Sequence, residues 1–157
     1  MMKSRKNFMN NVQLGKFAKH LVSKEFKIYG CRVSEYKSRL NDLTIKAGID
    51  SYFDVQIRSI QLSKSKYPYI FFYKHHFYPR ANLLAVIVIL RYGIDPSLYL
   101  IPSTVWKSPN DVFLSKDYEN KESNPWWGIQ LIDNRMNRLD PFTFKLQVEK
   151  LFERTPL

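Results

Sequence analysis

The chain has 157 residues, 45% of them hydrophobic and 15% aromatic, which supports one packed domain and excludes disorder over most of the length. Its formal charge of +11 comes from 25 Lys and Arg against 14 Asp and Glu. A surplus of this size on a small domain favours a polyanionic partner, with nucleic acid first, and the alternative is a surface that is merely basic and soluble.

The first half of the chain predicts one helix followed by strands. Residues 1–10 are polar and basic, and we expect them to be flexible. Apolar side chains at spacings of three and four predict a helix over residues 14–29, and Gly30 supplies its stop signal. Three predicted strands follow: 31–36, a second that starts near Asp42, and 52–60.

The second half predicts short strands separated by loops, and then a helix. The apolar run LLAVIVIL at 83–90 is typical of a strand that is buried on both faces. Asp140 is the expected N-cap of the last helix, with Pro141 at its first position. The remaining expected elements are strands at 69–73 and 97–102, a helical turn at 103–106, an irregular polar segment at 107–125, and a strand within 124–131.

Two features bear on the cellular compartment. The longest apolar run is far too short to span a bilayer, and the basic start lacks the apolar stretch of a signal peptide, so we expect a cytoplasmic protein that has no membrane partner. Cys31 is the single cysteine, which excludes an intramolecular disulfide. We expect a buried thiol there rather than a nucleophile.

The predicted strand over 52–60 carries polar side chains at three successive positions of one face. These are Asp54, Gln56 and Arg58, and they alternate with apolar side chains. Such a row has no significance on a strand that faces solvent. On a strand that is covered by another layer, the same row lines a site.

Several short motifs, in this order and at this spacing, resemble the PD-(D/E)xK nuclease superfamily, and most closely a small single-domain bacterial branch of it. In that pattern GxxAE opens the first helix, DL opens the second strand, and QxK or ExK ends the third. The matching segments here are GKFAK at 15–19, NDLTI at 41–45, QIR at 56–58, YLIPSTVW at 99–106 and SNPWWGI at 123–129. The resemblance runs from about residue 12 to residue 145.

The resemblance implies a restriction-endonuclease-like α+β fold, in which a mixed central sheet is flanked by helices. It divides the chain into a core over about 12–106 and a C-terminal extension over 107–157, within one domain. The implied chemistry is phosphodiester hydrolysis assisted by Mg²⁺ or Mn²⁺. Asp42 matches the metal-binding aspartate, Gln56 the second ligand, and Arg58 the motif lysine.

Two departures from the family pattern concern charge. Lys19 stands where the pattern has a helix glutamate, and Arg58 replaces a lysine. Arginine stays protonated at any useful pH, so Arg58 cannot act as a base, but its guanidinium can bind phosphate through two hydrogen bonds. One carboxylate, one amide and two cations are expected to hold Mg²⁺ poorly and a phosphate well.

Two other acids are candidate replacements for the missing ligand. Asp54 shares a strand face with Gln56 and Arg58, where the alternatives are a metal ligand or an ion pair with Arg58. Glu25 follows Lys19 by about 9 Å along the helix and falls within its apolar arc. For Glu25 the alternatives are a structural salt bridge or a relocated metal ligand.

The residues expected to contact phosphates are all basic: Lys16, Lys19, Lys27, Lys74 and Arg80. The last two belong to KHHFYPR at 74–80, in which basic and aromatic side chains are interleaved. That combination suits backbone phosphates and base stacking, and the alternative is an ordinary exposed hairpin end. The resemblance favours DNA over RNA and leaves a homodimer open.

The sequence therefore leaves three functions open. The first is a nuclease-like protein that binds nucleic acid and has a degenerate metal site at Asp42, Gln56 and Arg58. The second is an active Mg²⁺- or Mn²⁺-dependent endonuclease, with Asp54 or Glu25 as the relocated ligand. The third is a protein-interaction module that uses the same scaffold.

Overall fold

The computed structural model describes residues 9–35, 41–62, 68–120 and 122–153. Within these ranges the helices are α1 (Asn11–Ile28) and α2 (Phe144–Glu153). The strands are β1 (Arg32–Glu35), β2 (Leu43–Ala47), β3 (Ser51–Gln61), β4 (Tyr69–Tyr73), β5 (Leu83–Arg91), β6 (Ile94–Pro102), β7 (Phe113–Lys116) and β8 (Trp126–Gln130). Short 3₁₀ segments occupy Lys74–His76, Ser103–Lys107 and Asp133–Phe142.

The strands form two sheets. The central sheet has the order β1-β2-β3-β5-β6, in which β1, β2 and β3 are antiparallel neighbours and β5 lies parallel to β3. Parallel neighbours need a crossover connection, which is usually helical. Here that connection contains β4, which joins β7 and β8 in a second, antiparallel sheet of order β4-β8-β7.

Each face of the central sheet packs against a different layer. On one face, Val55 of β3 and Val86 of β5 share a core with the helix layer, to which α1 contributes Phe26 and α2 contributes Val148. On the opposite face the second sheet and the 3₁₀ segments contribute a separate core; it includes Ile87, Phe72, Phe77, Trp106 and Ile129. Each of these buried side chains contributes about 1.5–3 kcal/mol to stability. The predicted α+β class is confirmed, with both helices on one face.

The start of α1 explains why the helix begins earlier than its apolar pattern predicts. Asn10 Oδ1 accepts the N–H of Gln13 over 2.8 Å, and Gln13 Oε1 accepts the N–H of Asn10 over 3.1 Å. This reciprocal capping box satisfies N–H groups that a helix end leaves unpaired. Of the expected flexible segment 1–10, residues 1–8 lie outside the described residues. Gly30 ends the helix with a φ of 90°, as its place in the sequence predicts.

The prediction that Asp140 caps the last helix is wrong. Residues Asp133–Phe142 form a 3₁₀ segment that contains Pro141, and α2 begins only at Phe144. The N–H of Thr143 bonds to the carbonyl of Asp140, three residues back, and the α-helical bonds start with Gln147 on Thr143. Proline tolerates this tighter turn because it needs no N–H partner.

The segment expected to be irregular, 107–125, contains β7. Asn110 initiates it, because its Oδ1 accepts the N–H groups of Val112 and Phe113, each over 2.8 Å. Val112 and Phe113 enter the core on the second-sheet side together with β8, and α2 enters the core on the helix side. The division into a core over 12–106 and an extension over 107–157 stays a prediction.

Cys31, which follows α1, is buried, as expected, and its burial raises the pKa of the thiol to about 11. No helix within the described ranges combines the length and the apolar character needed to cross a bilayer.

Candidate functional site

Asp42 lies where β2 approaches β3. Its N–H donates to the carbonyl of Val55 over 2.9 Å, and its Oδ2 accepts the N–H of Ile57 over 2.7 Å. The strand register begins with Leu43 opposite Val55, so β2 has no residue in register with Ile57. In a longer β2, a backbone carbonyl would accept the N–H of Ile57; here the Asp42 carboxylate accepts it instead. Asp42 therefore stabilises the strand pairing through this hydrogen bond, in addition to any effect of its charge.

Gln56 lies on the face of β3 that is turned toward the second sheet. It is buried, with 2% of its surface exposed. Its Nε2 donates to the carbonyl of His76 over 2.7 Å, which ties the turn after β4 to the central sheet. An ionised carboxylate at position 56 would have no hydrogen to offer this carbonyl, so the amide suits the place chemically.

Arg58 follows on the same face and is held by the edge of β4. Its Nε donates to the carbonyl of Phe71 over 3.3 Å, its Nη1 donates to the carbonyl of Ile57 over 2.9 Å, and its guanidinium carbon lies 4.6 Å from the centre of the Phe72 ring. Burial lowers the pKa of Arg58, and the negative charge of Asp42 raises it. The group remains protonated at neutral pH and serves as an anion partner rather than a base.

Asp54 forms an ion pair, but its partner is Arg80. Nη2 of Arg80 lies 2.7 Å from Oδ2 of Asp54, while Thr44 donates its hydroxyl to Oδ1 over 3.4 Å. The alternative that pairs Asp54 with Arg58 is therefore wrong. Arg58 is two residues away on the same strand and turns toward β4, whereas Arg80 reaches Asp54 from the loop before β5.

The donors on this face do not fit Mg²⁺ or Mn²⁺, which require several hard oxygen ligands in near-octahedral geometry. Asp42 accepts the N–H of Ile57, Gln56 directs its amide nitrogen at a carbonyl, and Asp54 is neutralised by Arg80. Across the described ranges, no three or more His, Cys, Asp or Glu side chains cluster in a way that could hold a metal ion.

Glu25 is half-buried on α1, which packs on the opposite face of the central sheet from Gln56. Within the described part of the chain, no salt bridge joins Glu25 to a basic side chain. The structural salt bridge considered for Glu25 is therefore not found among these residues.

The five basic residues expected to contact phosphates lie on two sides of the central sheet. Lys16, Lys19 and Lys27 belong to α1, in the helix layer. On the other side, Lys74 Nζ bonds to Asp117 over 2.9 Å and lies 4.0 Å from the centre of the Trp127 ring, and Arg80 is paired with Asp54. The structure does not bring these five side chains into one groove.

One further basic residue on α1 is missing from the sequence-based set. Lys24 is exposed, as are Lys16, His20 and Lys27. Spacings of four, four and three place these four side chains on one stripe of the helix, which we call the α1 basic stripe. The helical spacing of these basic residues can be read from the sequence alone, and it identifies Lys24 as a further candidate for phosphate contact.

No model of a known protein family matches this sequence, and no curated protein matches it either. Among solved structures, the chain is similar to Hjc, a Holliday junction resolvase from the archaeal hyperthermophile Archaeoglobus fulgidus. The two chains share 10% sequence identity with a TM-score of 0.47, over 74% of this chain and 83% of that one. A likeness at this level concerns the path of the backbone and carries no inference about activity.

Proposed function

We propose that this protein binds nucleic acid, DNA ahead of RNA, on a nuclease-like scaffold whose metal site is degenerate. One observation carries the proposal. Asp42 lies just before β2, and Gln56 and Arg58 lie on β3, at the positions that correspond to the nuclease pattern, but they are one carboxylate, one amide and one guanidinium. Such a set favours a phosphate over a divalent cation, because a fixed guanidinium attracts anions and repels metal ions.

The bonds of these side chains support the same reading. Each of the three makes a hydrogen bond to the protein backbone: Asp42 to Ile57, Gln56 to His76, and Arg58 to Phe71. In this proposal the residues of a former metal site now hold the structure together, and Arg58 remains as the cation available to a ligand.

The α1 basic stripe supplies the second support. Lys16, Lys24 and Lys27 are exposed on one stripe of a helix whose first turn has no acidic residue. Their contribution would be electrostatic and independent of sequence, as phosphate contacts are. Lys74 and Arg80 are paired with acids, so we expect them to contribute less.

Fluorescence anisotropy with labelled duplex DNA tests the binding proposal. We compare the wild type with a variant carrying Lys16→Gln, Lys24→Gln and Lys27→Gln on α1. A matched control carries Lys107→Gln, Lys145→Gln and Lys150→Gln, three exposed lysines outside the stripe. The wild type is expected to lose affinity steeply with salt, and the stripe variant to reduce the slope of log K against log salt by about 0.9 for each lost contact.

Cleavage assays test the degenerate site. DNA and RNA are incubated with the wild type and with Asp42→Asn in Mg²⁺ and in Mn²⁺. We expect no cleavage by either protein and undiminished binding by the variant. Cleavage that Asp42→Asn abolishes would establish an active metal-dependent endonuclease instead. The absence of salt-sensitive binding to any nucleic acid would refute the proposal as a whole.

A further inference from the structure

The outer face of the second sheet carries a row of exposed aromatic rings. Along β4, Tyr69, Phe71 and Tyr73 are 41%, 42% and 39% exposed, while Ile70 and Phe72 between them point into the core. Alternate side chains of a strand stand about 6.4–6.8 Å apart on one face. Large apolar groups that are exposed together in this way mark an interaction surface more often than a single exposed ring does.

The row continues onto β8 through Trp126, whose ring lies 6.2 Å from that of Phe71. Gly128, which stands opposite Phe71 in the sheet, leaves room for the Trp126 ring, because a Cβ on residue 128 would lie 2.5 Å from that indole. The indole Nε1 donates to the hydroxyl of Tyr118 over 3.1 Å, which fixes the ring on the sheet. We call Tyr69, Phe71, Tyr73 and Trp126 the aromatic row.

Positive charge borders the aromatic row on both sides. At the edge of β4 that does not pair with β8, a pocket of about 250 Å³ is lined by Arg58 together with the three exposed rings of β4, and none of the described residues that line it is acidic. Arg58 uses two of its five N–H donors in its bonds to the carbonyls of Ile57 and Phe71. On the opposite side Lys116 of β7 is exposed and stands in register with Trp126.

We propose that the aromatic row is a stacking surface for the unpaired bases of a single-stranded nucleic acid, with Arg58 and Lys116 as the partners of its phosphates. This inference rests on the proposed function, since it takes nucleic acid as the ligand. Every base has a π-face, so flat rings at regular intervals accept bases without selecting a sequence. A duplex keeps its bases stacked on one another and cannot use this surface until nucleotides are unpaired.

The arrangement of rings and cations distinguishes this ligand from an apolar protein partner. The part of the row on β4 begins and ends with a tyrosine, cations border the row, and Gln130 Nε2 donates to the Tyr69 hydroxyl over 2.9 Å. An apolar partner would leave the charges of Arg58 and Lys116 desolvated at its border, which is costly. A strand with one phosphate for each base supplies both a ring and a counter-charge at every step.

Anisotropy with three ligands tests the inference. The ligands are a labelled oligothymidylate, a strand of equal length with the same sugar-phosphate backbone but no bases, and a duplex. The wild type is expected to bind oligothymidylate more tightly than the abasic strand. Phe71→Ala and Tyr73→Ala are each expected to weaken binding to oligothymidylate by about five-fold or more, and to leave binding to the abasic strand unchanged.

Controls separate a loss of stacking from a loss of folding. Tyr52→Ala removes an exposed tyrosine of β3 that lies outside the aromatic row, and it is expected to have no effect on binding. Phe71→Tyr keeps a ring and is expected to keep binding. If Phe71→Ala does not fold, Tyr73→Ala at the end of β4 gives the same test.

The other outcomes each overturn the inference in a distinguishable way. Equal affinity for oligothymidylate and the abasic strand would remove the stacking role and leave salt-sensitive binding, and with it the proposed function, intact. Aromatic variants that bind all ligands normally but lose self-association in sedimentation would identify a contact between copies of the chain. No binding of any nucleic acid would overturn this inference and the proposed function together.

Discussion

Replacing Asp42 with alanine and with asparagine separates its structural bond from its charge. Alanine removes the acceptor of the Ile57 N–H, which Asp42 Oδ2 contacts over 2.7 Å in a half-buried place. Hydrogen bonds to a charged group contribute about 1.5–3 kcal/mol, so we expect Asp42→Ala to lower the free energy of unfolding by about that amount. Asparagine keeps an oxygen acceptor, so Asp42→Asn is expected to cost less than about 1 kcal/mol.

Urea unfolding followed by circular dichroism measures both variants. The difference is expected in the midpoint of the transition, with an unchanged slope m, because the two variants expose the same surface on unfolding. Asp95→Ala is the matched control, since Asp95 is an exposed acid on the edge strand β6, and it is expected to change stability by less than about 0.5 kcal/mol. Equal costs for alanine and asparagine would show that charge, rather than the bond to Ile57, decides the contribution of Asp42.

Three further predictions concern buried positions. Gln56→Glu places a buried carboxyl group against the carbonyl of His76, and burial raises the pKa of that carboxyl above its unfolded value of about 4.3. The variant is therefore expected to lose about 1–3 kcal/mol of its free energy of unfolding as pH rises above about 4.3, and urea midpoints measured across pH show this loss. Cys31 is expected to react slowly with a disulfide reagent in the native protein and rapidly in urea. Because its thiol pKa rises from 9.0 to about 11 on folding, its contribution to stability is present below pH 9.0 and is lost as pH rises toward 11. Gly128→Ala is expected to cost about 1–3 kcal/mol, since its Cβ would overlap Trp126, and to shift the tryptophan emission.

The sequence predicted the elements whose residues follow one clear period. The alternation in β3 is a local pattern, and the structure places Val55 and Ile57 in the helix-side core and Gln56 on the opposite face, as that alternation requires. The run at 83–90 became the buried strand β5, whose alternate side chains enter the cores on the two faces of the central sheet, as a continuous apolar run on a strand requires.

The features that the sequence did not predict depend on contacts between distant segments. β4 precedes β8 by more than fifty residues, and nothing within either segment states that they pair in a separate sheet. The partner of Asp54 is likewise Arg80, 26 residues away, because strand pairing brings the loop before β5 to the start of β3. The aromatic row is visible in YIFFY only after it is known that the first, third and fifth of these side chains face outward.

Arg58 connects the proposed degenerate site, at Asp42 and Gln56, to the aromatic row. Its guanidinium is near enough to Asp42 for the two charges to attract, and it also lines the pocket beside Phe71. Burial lowers the pKa of Arg58 despite the attraction of Asp42, so one carboxylate does not fully compensate its desolvated charge. A phosphate in that pocket would supply the missing compensation. An arginine at this position, where the nuclease pattern has a lysine, therefore suits the anion binding that we propose.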